Sequence, residues 1–281
     1  MADYGAGIYQ KGGNLLIMDS TFERNNATRW GAAICDEGGD MRVESSKFTK
    51  SPGYHVICIN GTQSRKAKLS LIDCSVSNNP GPYNDWCTGS GGAIACIDSI
   101  MLIDHCTIND NKVLIMKENV VGGSNAGLDI VGSDVTLNDT LIQGNETPNI
   151  AAITVVNNSK VTMVHCTVKG NHARKVFSNG EYGLGDGAAI SIDSSSEVTI
   201  NDVIFKDNIA DNIAGAIANA GKLNWGRNVV ITNNTAKNYS SVFNLASGRI
   251  NFLSEPNIFG NHDEKPGTSF YSEGIISGVE F

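Results

Sequence analysis

Five ionisable residues, Asp73, His105, Asp139, His165 and Asp202, recur at one position of a repeating phrase and alternate carboxylate with imidazole. If equivalent positions stand over one another, acid and imidazole form a row held together by charge-assisted hydrogen bonds. The same residues offer a metal site or an acid–base pair. Their position is also the bend between two strands, where Asp is common for turn reasons alone. A structural ladder is therefore the first reading, ahead of a metal site. The seven cysteines include no Cys-x-x-Cys or zinc spacing, and no cofactor is expected.

A second group with chemical potential gathers where the chain carries extra residues. Tyr83, Asp85 and Trp86 lie in one insertion, Lys117 and Glu118 in a second, and Arg174, Lys175, Glu181 and Tyr182 in a third; Glu146 belongs to a short connection between the last two. Aromatic faces bordered by charged groups suit sugars or peptide segments. Glycoside hydrolysis would require two carboxyl groups roughly 5–10 Å apart. Asp85, Glu118, Glu146, Glu181 and Asp186 offer such pairs, and Lys117, Arg174 and Lys175 offer a base for a lyase. No motif selects among them, so no catalytic residue is assigned.

What must position these residues is a repeat. Nine copies of a Phe-x-x-Asn-like phrase end at Asn25, Ser51, Asn79, Asn111, Asn145, Asn171, Asn208, Asn234 and Asn261. Three residues before each end sits an apolar side chain, from Phe22 and Phe48 to Ile231 and Ile258. Apolar residues also stand eight and ten positions before the first seven ends, as Ile200 and Val198 do before Asn208. Small-residue strands such as Gly31-Ala-Ala-Ile34 and Gly187-Ala-Ala-Ile190 separate the copies. The last two copies drift, with Gly226 and Pro256 where other copies are apolar or small. Strands of period two, glycine punctuation and a unit of about 26 residues describe one coil of a solenoid. The expected fold is all-β: a single-stranded right-handed parallel β-helix of nine to ten coils over residues 1–281, with 262–281 a terminal coil or a cap. Nine coils spaced by about 4.8 Å give a rod on the order of 45 Å.

Gly91-Gly-Ala-Ile94 combined with Phe205-Lys-Asp-Asn208 resembles the repeat of chlamydial polymorphic outer membrane proteins. Cys106-Thr-Ile-Asn-Asp-Asn111 and Cys166-Thr-Val-Lys-Gly-Asn171 resemble adhesin-like β-helix repeats of methanogens and other anaerobes. The resemblance covers about 250 of the 281 residues. It implies the pectate-lyase-like fold and an adhesin-like role, although such repeats also occur in polysaccharide-degrading enzymes. The paired-Asp segments of polygalacturonase-like hydrolases (Asn-Thr-Asp, Asp-Asp, Arg-Ile-Lys) are missing.

Insertions at one corner of a solenoid emerge on one face. The tall connections after coils 3, 4 and 6, with the short one after coil 5, should form walls around a dip. That geometry suits an extracellular or cell-surface segment of a longer exported protein, binding a glycan or a host or partner protein. A polysaccharide lyase or hydrolase with its cleft over coil 5 is the alternative, and a structural rod associating end to end is a third. Lys+Arg 21 against Asp+Glu 29 gives a net charge of −8, with no electrostatic footprint for nucleic acid. No apolar run approaches the roughly 20 residues that span a bilayer, so no membrane insertion is expected. Cys74, Cys106 and Cys166 share one inward position and Cys35 and Cys58 another, which reads as stacked thiols rather than disulfides. The Asn-x-Thr sequons at Asn26, Asn60, Asn145 and Asn233 reflect Asn at turns.

Overall fold

Strands of five residues alternate inward and outward side chains, and here each inward residue stacks on its counterpart one coil away. Leu69 pairs in register with Met41 below and Met101 above, and Leu71 with Val43 and Ile103. The computed structural model describes residues 2–81, 92–113, 127–148, 150, 152–174, 177–178, 181–182, 186–264 and 269–279; for 177, 178, 181 and 182 it describes the backbone alone.

Three parallel sheets run along the rod. A long-strand sheet of ten strands includes Asp40–Glu44, Lys68–Ile72, Ile100–Asp104, Asp134–Asn138, Lys160–Val164 and Glu197–Asn201. A short-strand sheet of nine includes Lys47–Thr49, Ser75–Ser77, Thr107–Asn109, Leu141–Gln143 and Thr167–Lys169. A small-residue sheet of ten includes Ile34–Glu37, His55–Asn60, Gly92–Ile97, Leu128–Val131 and Ile153–Val156. A fourth ladder of five short strands begins at Glu146–Thr147 and His172–Ala173. The final segment is a tenth coil, because Phe270–Ser272 pairs with Val242–Asn244 and Ile275–Gly278 with Arg249–Phe252.

The core is the stack of inward columns from all three sheets, for example Ile34, Ile57, Ile94, Leu128, Ile153, Ile190 and Ile217. Each buried aliphatic residue contributes on the order of 1.5–3 kcal/mol through removal from water. Aromatic rings continue the columns: Phe22 stacks on Phe48 with centroids 4.8 Å apart and planes at 4°.

Corners are sharp because one residue in each adopts a left-handed conformation. Between the long and short strands this residue is Asp19, Ser45, Asp73, His105, Asp139, His165 or Asp202, with φ between 43° and 54°. Asp, Asn and His are several-fold enriched in that region, which accounts for the residue types of the row. In several of these corners the next residue, Ser46 or Cys106 for example, points inward and accepts the backbone N–H of the coil below. Ser20 N donates to Ser46 Oγ at 3.1 Å and Cys74 N to Cys106 Sγ at 3.3 Å. At the turn after the small-residue sheet, Ser99 N donates to Ser133 Oγ at 3.0 Å and Ser133 N to Ser159 Oγ at 3.1 Å. The six described cysteines are buried and free, as stacked thiols require. Burial pushes the Cys166 thiol up to about 11 and the Cys96 thiol up to about 12.

The drift in the last copies is a one-residue insertion in a corner, not a loss of register. Trp225, rather than Gly226, pairs with Ile200, and Val230 pairs with Ile204, so Gly226, Arg227 and Asn228 turn a corner one residue longer. Trp225 fills the core against Phe252, with centroids 5.2 Å apart.

Candidate functional site

Each short strand is followed by a left-handed residue, such as Lys50, Asn78, Asp110 or Gly144, and then by a ladder residue, which is buried from Ser51 to Asn234. Asn111 N donates to Asn145 Oδ1 at 3.1 Å, and Asn111 Nδ2 donates to the same oxygen at 3.0 Å. Asn145 repeats the pattern onto Asn171 at 3.0 Å for both bonds. The ladder fixes where the chain leaves the corner, and the following residues pair from coil to coil: Pro80 with Lys112, Lys112 with Glu146, and Glu146 with His172. The segments that lead into the insertions are therefore rooted along one line.

At that line Glu146 binds two cations. Its Oε2 lies 3.3 Å from Lys112 Nζ and its Oε1 2.5 Å from an Arg174 guanidinium nitrogen. Arg174 N also donates to Thr147 O at 2.7 Å. One strand further on, His172 Nε2 and Asp211 Oδ1 are 2.8 Å apart. Of the ten residues singled out for ligand binding, Glu146 and Arg174 thus meet directly. Glu181 and Tyr182 lie on an antiparallel pair with Phe177 and Ser178, in register Phe177 with Tyr182 and Ser178 with Glu181. Tyr83, Asp85, Trp86, Lys117, Glu118 and Lys175 lie outside the described residues. Asp186 accepts a hydrogen bond from Asn212 Nδ2 at 2.6 Å. Lys112, His172 and Asp211 escaped notice in the sequence. The signal for Lys112 was its place directly after a ladder Asn.

Beside the roots, toward the first coils, lies a groove of about 640 Å³. Two rows form its walls: Arg24, Lys50, Asn78 and Asp110 from the left-handed position, and Asn26, Pro52, Pro80 and Lys112 from the position after the ladder. Lys50 Nζ lies 3.0 Å from Glu23, which holds the Glu23 carboxyl below its usual range.

The acid–imidazole row forms at the other corner, with one substitution in its membership. His105 Nε2 is 3.9 Å from Asp139, and His165 is 3.7 Å from Asp139 through Nδ1 and 3.7 Å from Asp202 through Nε2. Asn228 and then Arg227 hold the Asp202 carboxyl below its ordinary value, at 2.7 and 3.2 Å. Asp73 makes no ion pair with His105 among the described residues. Asp104, the residue before His105, takes that place, 3.0 Å from His105 Nδ1; Val164 holds the equivalent position before His165, whose Nδ1 faces Asp139 instead. His55, which the repeat spacing does not flag, is buried 3.7 Å from Asp129.

A family model described as right handed beta helix region matches residues 6–200, and the chain belongs to that family. No curated protein and no solved structure matches the chain.

Proposed function

We propose that this chain is an extracellular, adhesin-like β-helix segment that binds a glycan or a partner protein through the edge where its insertions are rooted. The alignment of Pro80, Lys112, Glu146 and His172 along one line carries this reading. A rigid ladder that delivers several connections to one edge is the usual way a scaffold builds a recognition surface. The neighbouring groove favours an acidic glycan. Arg24, Lys50 and Lys112 supply cations, Asn26 and Asn78 supply amides, and Pro52 and Pro80 supply apolar faces. Lys50 and Lys112 are engaged by Glu23 and Glu146, carboxylates that a ligand's own carboxylates can replace.

Immobilised acidic and neutral polysaccharides, assayed for retention and for new reducing or unsaturated ends, test the proposal. The expected result is retention of an acidic polysaccharide without new ends, weakened about tenfold in the Lys50→Ala/Lys112→Ala double variant. Release of new ends would make the chain a polysaccharide-degrading enzyme instead. Retention of none would remove the glycan reading.

A further inference from the structure

The corner between the long-strand and short-strand sheets carries chemistry that ligand binding at the loop roots does not use. We infer that His105 and Asp139, with Asp104 supporting the imidazole from behind, form a site for a divalent transition-metal cation, with zinc as the best-matched ion. One donor atom from each of the three lies within 4.8 Å of the others.

The separations along this row fit metal ligation better than hydrogen bonding. Hydrogen bonds between nitrogen and oxygen span about 2.7–3.2 Å, whereas His105 Nε2 and Asp139 Oδ2 stand 3.9 Å apart. Two ligands each about 2.0–2.2 Å from a tetrahedral zinc are roughly 3.4 Å apart. A side-chain adjustment of about half an ångström therefore brings both atoms onto one ion. The backbone has already fixed both residues in left-handed conformations, at φ 50° for His105 and 43° for Asp139.

The surroundings prepare the ligands. Asp104 Oδ1, 3.0 Å from His105 Nδ1, accepts the hydrogen on that nitrogen and leaves Nε2 with its lone pair toward Asp139. A carboxylate behind a ligating imidazole is the common support of metal-bound histidine. Asn138 Nδ2 in turn donates to Asp104 at 2.7 Å. Charge argues the same way. Among the described residues Asp104 and Asp139 have no Lys or Arg within ion-pair distance, only the imidazoles of His105 and His165. Asp202, at the end of the row, has Arg227. Imidazole with carboxylate suits zinc and its neighbours in the transition series, and the exposed His105 leaves the remaining positions to water.

The test is calorimetric titration of the whole chain with Zn²⁺ alone, for the wild type and for His105→Asn, Asp139→Asn and His172→Gln. Asn tolerates the left-handed conformation, so the first two variants keep the corner. His172→Gln removes a partly exposed His–Asp pair that lies outside the row. Zn²⁺ binding should weaken at least about tenfold in His105→Asn and Asp139→Asn and stay unchanged in His172→Gln. A second readout needs no variant: on Zn²⁺ addition the ¹⁵N resonance of His105 Nε2 should shift while Nδ1 stays protonated. Equal affinity in wild type and Asp139→Asn, or a shift at His172 in place of His105, would overturn the inference.

Discussion

Asp36 shows how little freedom a single side chain has inside this solenoid. It points into the core in register with Gln10 below and Ile59 above, fully buried. Its Oδ1 accepts Gly39 N at 3.1 Å, but its Oδ2 has no partner. Burial pushes its carboxyl up to about 6, against the partial relief of the Gly39 bond. A folded value above the unfolded one means that the protonated acid favours the fold. Its contribution is complete below about pH 4 and is lost as pH rises through about 6. Asp36→Asn keeps the acceptor and cannot ionise. Urea unfolding of both proteins at pH 4 and pH 7.5 should show the variant gaining about 2 kcal/mol relative to wild type between the two. Parallel pH profiles would mean that Asp36 is not held in an apolar site.

The element that repeats best is the corner, and the asparagine ladder shows why the sequence announced it so clearly. Asn145 Nδ2 donates to Asn171 Oδ1 and to Ile108 O, while its Oδ1 receives two bonds from Asn111. Only a side chain with donor and acceptor at that reach satisfies all four, so Asn returns in coil after coil. Asn145 is itself fully buried, so its sequon reflects the ladder. Asn145→Ala leaves buried backbone and amide groups unpaired and should cost about 3 kcal/mol or more. Ser51 shows a partial substitute: its Oγ accepts Asn25 N at 3.2 Å and donates to Thr49 O. Asn145→Ser should therefore fall between wild type and Asn145→Ala in denaturant midpoint, and a serine variant as unstable as alanine would contradict this role. The corner before the short strand was legible for the same reason, since Asp and His recur where φ is positive. Two local features were not. The extra residue at Gly226 shifts Trp225 into the apolar column, and a Cβ at Gly226 would overlap Asn201 Oδ1 and lie 2.7 Å from Ile200 O. Asp104 replaced Asp73 because a carboxylate directly precedes His105, where Val164 precedes His165, and coil spacing does not weigh that neighbour.

At the scale of the whole molecule, the sequence revealed the coil and the count of coils, because one-coil spacing forces equivalent residues to recur. It said less about the site. Charged residues near a loop root pair according to register, and Glu146 joins Lys112 and Arg174 only because residues 34 and 28 positions apart in the chain meet at adjacent coils. Sequence insertions marked the face, and the ladder beneath them set the line. Everything proposed for recognition depends on that line being real in solution. It can be measured with spin labels at Lys112→Cys and His172→Cys in a Cys87→Ser background, the six described cysteines being buried. Two coil spacings of about 4.8 Å place the labels on the order of 10 Å apart. Aligned roots predict strong dipolar broadening in the doubly labelled protein; a spectrum equal to the sum of the two singly labelled proteins would contradict the alignment of the roots.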